Sequence, residues 1–221
     1  MEIPKTGKGD YTTWCNLLVS CGDVTLPTKG FDTATPLTGG RAAGASSLGY
    51  THAGRYLVGT TKFISAAELD DLRAAGLRLF PIQQRSNNSV GAMTYSDGWA
   101  QGVEAIKRAR VLGLPANRTI FLAGDFDPEG DVIDGPVLDF FKGVNDAIEM
   151  ARSYSFKVGV YGTRNVCSKM IGADKAVAAF VSGMSYGYSG NMGFAMPAEW
   201  HYNQVVGASE PFGGGSKTDI D

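Results

Sequence analysis

The run Thr119-Ile-Phe-Leu-Ala-Gly-Asp125-Phe-Asp127-Pro128 constrains the fold more than any other stretch of the chain. Ile120, Phe121, Leu122 and Ala123 follow one another without a polar break, which suits a strand covered on both faces and hence a parallel sheet flanked by helices. Gly124 lets the backbone pass close to a neighbour, and Pro128 stops the strand. Asp125 and Asp127 stand two apart, so on an extended backbone both carboxylates point to one face. Like charges held that close resist joint ionisation, which raises one pKa and leaves the other acid charged. A solvated loop, or one holding a hard cation, would present the same two acids.

The same form, a short apolar run with a polar ending followed by helical spacing, recurs along the chain. Gly30-Phe31-Asp32 reads as a first strand, Gly54 to Gly59 as a second and Arg78 to Gln83 as a third. Lys157 to Gly162, Ala176 to Ser182, Ala198 to Gln204 and Lys217 to Asp221 supply four more after the central run. Between them, Ser65-Ala-Ala-Glu68 has the form of a capping box ahead of Leu69 and Leu72, and Ser96 or Asp97 is expected to cap a helix through Val111. Pro136 to Ser153 places Phe140, Phe141, Val144, Ala147 and Ile148 on one helical face. Alternation at this spacing predicts an α/β fold, a single (β/α)8 TIM-like barrel over residues 28–221, irregular in its last third where helical signals weaken. Residues 1–27 are polar and read as an N-terminal cap or extension.

Charge narrows the range of partners. Twenty basic and 22 acidic residues give a net charge of −2, too little field to collect nucleic acid or an anionic membrane. No run approaches the roughly 18 apolar residues of a membrane span. The first ten residues lack the apolar core of a secretory signal; a removed leader, a place in a larger exported protein, a dedicated export apparatus, delivery or release by lysis would each be compatible with action on the cell wall. Three cysteines imply no complete disulfide framework, although Cys15 and Cys21 are spaced to close a small loop in an oxidising compartment. Cys167 reads as a structural thiol. No CxxC pair or spaced histidines suggest a metal, and Gly213-Gly-Gly-Ser216 is followed by no helix that could bind phosphate, so neither metal nor cofactor is expected. The chain is expected to be a monomer.

In a parallel barrel the carboxyl ends of the strands form the active face, so strand endings far apart in sequence converge. Here those endings are Asp32, Asp125 with Asp127, and Asp219 with Asp221, accompanied by Arg55, Tyr56, Gln83, Tyr161, Trp200 and Gln204. Carboxylates ringed by aromatic and amide groups suit a sugar: acids flank the glycosidic bond, aromatic faces stack on pyranose rings, and amides hold hydroxyls. Arg55 could equally hold an inward acid charged, while Tyr161 and Trp200 could be packing residues. His52, in an expected loop, and His201 lack spaced partners and read as structural.

Gly30-Phe-Asp32, Ile120-Phe-Leu-Ala-Gly-Asp125-Phe-Asp127, Val158-Gly-Val-Tyr161-Gly162, Trp200-His-Tyr-Asn-Gln204 and Asp219-Ile-Asp221, in that order, resemble the glycoside-hydrolase-like domain related to family 25 lysozymes. The resemblance covers about residues 28–221. It implies a muramidase-type site that cleaves the β-1,4 bond between N-acetylmuramic acid and N-acetylglucosamine in peptidoglycan glycan strands. The related lysozymes carry Asp-x-Glu at the end of the fourth strand, with Glu as general acid; Asp127 stands in that place, shorter by one methylene, about 1.5 Å of reach. The roles implied are Asp127 as acid, Asp125 as charged stabiliser and Asp32 as support, with Asp219 and Asp221 positioning sugar or water. A catalytically inactive wall-glycan-binding module on the same barrel is the alternative, and a divalent-cation hydrolase ranks after it. An effector or lysin role, with an immunity protein as partner, is compatible with this reading.

Overall fold

The computed structural model describes residues 28–151, 154–213 and 217–221. The expected N-terminal cap, with Cys15 and Cys21, lies outside them. Seven strands pair in sequence order and all in parallel: β1 (Gly30–Asp32), β2 (His52–Tyr56), β3 (Arg78–Gln83), β4 (Thr119–Ala123), β5 (Lys157–Gly162), β6 (Ala178–Val181) and β7 (Trp200–Asn203). Helices α1 (Arg41–Ser47), α2 (Ala66–Ala74), α3 (Tyr95–Val111), α4 (Leu138–Met150) and α5 (Arg164–Gly172) follow β1 to β5 in turn. The chain from 182 to 199 holds neither helix nor strand, so the barrel becomes irregular where the sequence signals fade.

The expected eighth strand forms, but as something other than a further parallel repeat. Thr218–Ile220 (β9) pairs antiparallel with β8 (Ala208–Glu210), and the segment then runs against β1. Asp32 and Asp221 exchange both backbone hydrogen bonds, at 2.9 and 3.0 Å, the mark of an antiparallel pair. The Thr33 hydroxyl donates to the Asp219 carbonyl beside them. A nearly closed seven-stranded barrel results, joined at its seam by backbone.

Alternation along the strands separates two cores. Ile120, Leu122, Val158, Val160, Ala179 and Val181 face outward into the large cluster shared with the helices. Phe80, Ile82, Phe121, Ala178 and Phe180 face inward, packed with Tyr56, Tyr161 and Tyr202. The Phe80 and Tyr202 rings stack with centroids 4.0 Å apart, while Phe121 and Phe180 meet them edge-on. Room for these rings comes from glycine: a Cβ on Gly54 or Gly159 would lie 2.5 Å from the Phe80 or Phe121 ring. The barrel axis is therefore filled, with His52 and Arg78 near Tyr202 at its amino end and a larger set of polar groups at its carboxyl end.

Two helix starts differ from expectation. Thr94, rather than Ser96 or Asp97, caps α3, its hydroxyl accepting from Asp97 N at 3.1 Å. Ser65 does cap α2 by accepting from Glu68 N at 3.1 Å, but the Glu68 carboxylate does not reach back to Ser65. It turns inward to Arg55 Nε at 2.6 Å, and also accepts from Leu37 N at 2.8 Å. Arg55 and Glu68 are 0% and 1% exposed, so this ion pair is fully desolvated, and Arg55 also donates to the Thr33 carbonyl. Removing one member strands a buried charge. Arg55→Met is expected to lower the free energy of unfolding by about 3–5 kcal/mol, read by denaturant titration; a loss below about 1 kcal/mol would mean that the pair does not hold β2 to α2.

Candidate active site

Asp32 ends β1 inside the barrel and is only 2% exposed. Its Oδ1 accepts from Gln204 Nε2 at 2.8 Å and its Oδ2 from the Tyr56 hydroxyl at 3.2 Å. Gln204 in turn accepts from the Tyr161 hydroxyl at 2.9 Å, so β1, β2, β5 and the end of β7 are tied by one network. Burial pushes the Asp32 carboxyl up to about 7; the Gln204 and Tyr56 hydrogen bonds oppose the rise, while the charges of Asp221 and Asp125 add to it. At neutral pH this acid is about half protonated. The Tyr56 and Tyr161 hydroxyls are pushed above their ordinary range by burial and then by the neighbouring carboxylates, so both remain donors.

Asp125 is partly exposed and accepts from Gln84 Nε2 at 2.9 Å. Its charge acts on Asp32, Tyr56, Tyr161 and Asp221, which places it in the same cluster. Partial burial, then Asp125 and Asp219, raise the Asp221 carboxyl. Asp32, Asp125 and Asp221 thus form an acidic group above the aromatic interior, with Asp219 exposed beside it.

Asp127 is elsewhere. Its Oδ2 accepts from Ser189 N and Oγ, both at 2.7 Å, and its Oδ1 from Gly190 N at 2.9 Å. Burial alone would raise this carboxyl, but the three hydrogen bonds outweigh burial and hold it below the ordinary carboxylate range. An acid held ionised is a poor proton donor. The physical reason for the divergence is that β4 ends at Ala123, ahead of both acids, so strand alternation no longer sets where they point.

Parity also moves other expected residues out of the site. Arg55 faces outward to Glu68, and Gln83 faces outward to Glu104 Oε2 at 2.9 Å, because their neighbours Tyr56 and Ile82 take the inward positions. Trp200 opens β7 at the opposite end of the barrel from the carboxylates and packs on the outer core. His52 begins β2 rather than lying in a loop, its ring 5.9 Å from that of Tyr202. His201 is exposed. Two residues not anticipated from sequence join the site. Gln84 would have been found by counting strand parity from Phe80 and Ile82; Lys62, whose ammonium lies 4.1 Å from the centroid of the Tyr56 ring, sits in a loop that gives no periodic signal. Among the described residues no group of three His, Cys, Asp or Glu side chains could hold a metal ion, and no helix is long and apolar enough to cross a membrane.

With the geometry in place, comparison with known proteins is decisive for ancestry. The Rv2525c-like, glycoside hydrolase-like domain matches residues 44–219. The chain belongs to this family. Two Bacillus subtilis (strain 168) proteins are similar: FadG, 34% identical over 209 residues covering 92% of this chain and 36% of FadG, and YbfG, 33% identical over 228 residues covering 98% and 31%. The chain therefore spans about a third of the length of these relatives. Among solved structures, the Mycobacterium tuberculosis Tat-secreted protein Rv2525c, in complex with L-tartrate, superposes with a TM-score of 0.68 at 17% identity, covering 89% of this chain and 94% of that one. The modular autolysin LytC of Streptococcus pneumoniae, in complex with a synthetic peptidoglycan ligand, gives a TM-score of 0.53 at 10% identity, covering 90% and 47%. These structural likenesses show a shared barrel fold.

Two outcomes follow from the site's electrostatics. A carboxyl raised in the folded state stabilises the fold fully below its unfolded pKa of 3.8, and that contribution is lost as pH rises through about 7. Asn at this position can accept from Gln204 and donate to Tyr56 without a charge. Asp32→Asn is therefore expected to flatten the fall of Tm with rising pH and to melt above wild type at about pH 8; a variant that melts lower there would refute the raised carboxyl. Asp127 has the opposite sign, stabilising above its unfolded pKa and losing that as pH falls through its depressed folded one. Asp127→Ala is expected to cost about 1–3 kcal/mol at neutral pH and progressively less in acid, measured by thermal unfolding against pH.

Proposed function

We propose that the chain is a glycoside hydrolase of bacterial wall glycans that cleaves the β-1,4 bond between N-acetylmuramic acid and N-acetylglucosamine, with Asp32 and Asp125 as its working acids. The observation that carries this reading is the pairing, at the carboxyl end of a family barrel, of a buried acid held by Gln204 and Tyr56, its carboxyl raised by burial, with a more exposed one. Hydrolysis of a glycosidic bond needs one carboxyl able to give a proton and one carboxylate able to face positive charge at the anomeric carbon. Asp32 holds the proton. Because its carboxyl is covered, the proton leaves through Tyr56: with Asp32 protonated, the hydrogen bond that the Tyr56 hydroxyl gives Asp32 Oδ2 reverses, and the phenol gives its own proton to the leaving oxygen as it takes the one from Asp32. Asp125 stabilises the oxocarbenium-like state, Gln204 and Tyr161 fix the Asp32 carboxyl, and Asp221 borders the sugar. As the bond breaks, the leaving sugar gains the proton from Asp32, the anomeric carbon gains the hydroxyl of a water, and the remaining proton of that water returns through Tyr56 to Asp32. The choice of wall glycan is supported by LytC, an autolysin of the same fold with a peptidoglycan ligand.

A second reading is supported by a specific observation. The acid at the general-acid position of the related lysozymes, Asp127, is engaged by Ser189 and Gly190, and Asp32 is 2% exposed, so the barrel could bind glycan without cleaving it. Digestion of purified peptidoglycan, with soluble products identified by mass spectrometry, separates the two. Muropeptides with muramic acid reducing ends are expected from wild type, with release reduced at least about 100-fold in Asp32→Asn and Asp125→Asn. Glucosamine reducing ends would keep the hydrolase and change the bond. Binding to sacculi with no release by folded wild type would establish the binding module.

A further inference from the structure

We infer that Lys62 forms a subsite for a sugar carboxylate, so that the preferred glycan carries an acidic sugar at the mouth of the barrel. This inference rests on the glycan reading above and specifies the charge of the substrate.

The position of Lys62 is built by its surroundings. Gly59 adopts a left-handed φ of 127°, and a Cβ there would lie 2.6 Å from Lys62 Cγ, so the absence of a side chain lets the Lys62 stem cross the loop after β2. The ammonium then rests over the Tyr56 ring at 4.1 Å from its centroid. That ring belongs to the phenol that bonds Asp32. Burial lowers the pKa of Lys62 while the Asp125 charge raises it, which places the ammonium within electrostatic reach of the acidic cluster.

Lys62 nevertheless makes no hydrogen bond or ion pair with any described residue; its contact is with the ring face. Arg85 and Lys169, by contrast, are closed on Glu104 and Asp134. The half-buried ammonium keeps its donors open toward solvent, where an acceptor on a ligand can take them. The acceptor cannot come from Asp125 at its present distance, which exceeds that of an ion pair. A carboxylate on the bound sugar is such an acceptor, and the ammonium offsets the repulsion that Asp125 and Asp221 exert on that carboxylate. A neutral sugar would meet no such repulsion and would gain less from the cation.

Two wall polymers present this chemistry: glycan strands freed of peptide, whose muramic lactyl group is then a free carboxylate, and polymers containing uronic acid. Binding to wild type and to Lys62→Met and Lys62→Arg is measured by calorimetry, without reference to cleavage. The probes are peptide-free glycan strands from amidase-treated peptidoglycan, the same strands with carboxyls reduced to alcohols, and hyaluronan oligosaccharides. Wild type is expected to bind peptide-free strands at least about tenfold more tightly than reduced ones. Lys62→Met is expected to bind both at the level of the reduced strands, and Lys62→Arg to keep the preference. Tighter binding of hyaluronan than of peptide-free strands would assign the carboxylate to a uronic acid, and the reverse to muramic acid. Equal binding of native and reduced strands by wild type, or a preference retained in Lys62→Met, overturns the subsite while leaving the glycan reading intact. Folded wild type that binds no glycan overturns both.

Discussion

The structure depends on the seam at which Asp32 meets Asp221. Their backbones exchange two hydrogen bonds, which joins the first strand of the barrel to the segment that follows the last. Residues opposite each other in such a pair project their side chains to the same face. Closure therefore forces two carboxyl groups together, and Asp125, at the end of β4, adds a third charge. Burial inside the barrel is what chiefly raises the Asp32 carboxyl, and the charges that closure brings beside it add to the rise. The same geometry accounts for the network beneath: Gln204 and Tyr56 donate to Asp32 because a covered carboxyl needs partners whichever way it is charged.

Asp125 and Asp127 show how a short interval in sequence divides into two tasks. One lies in the acidic cluster and accepts from Gln84; the other clasps Ser189 and Gly190 in the helix-free stretch between β6 and β7. That stretch has no helix to brace it, and Asn191 adds further anchors, its side chain bonding Arg164 N, the Ser182 carbonyl and the Ser185 carbonyl. A loop bordering the site is thus fixed by polar contacts where a regular barrel would use helix packing.

Much of the fold was legible because it rests on period. Seven apolar runs gave seven strands near their expected places, and the helical face of Phe140, Phe141 and Val144 packs where its spacing put it. The site was legible only in part. Asp32, Asp125, Tyr56, Tyr161, Gln204 and Asp221 come together because strand ends converge in any parallel barrel. Arg55, Gln83 and Trp200 do not, and each for a geometric reason: outward parity for the first two, the wrong end of a strand for the third. Asp127 was read as continuing a strand that stops at Ala123. Lys62 depends on Gly59 and a loop path, which no periodicity encodes.

The stacked interior of Phe80, Phe121, Phe180 and Tyr202 has a consequence for how a long molecule could be handled. A barrel plugged by four rings has no channel along its axis, so nothing threads through it. A polymer must lie across the mouth and depart by the side it came from. Such a platform needs no free chain end, and it meets internal units of a strand as readily as terminal ones.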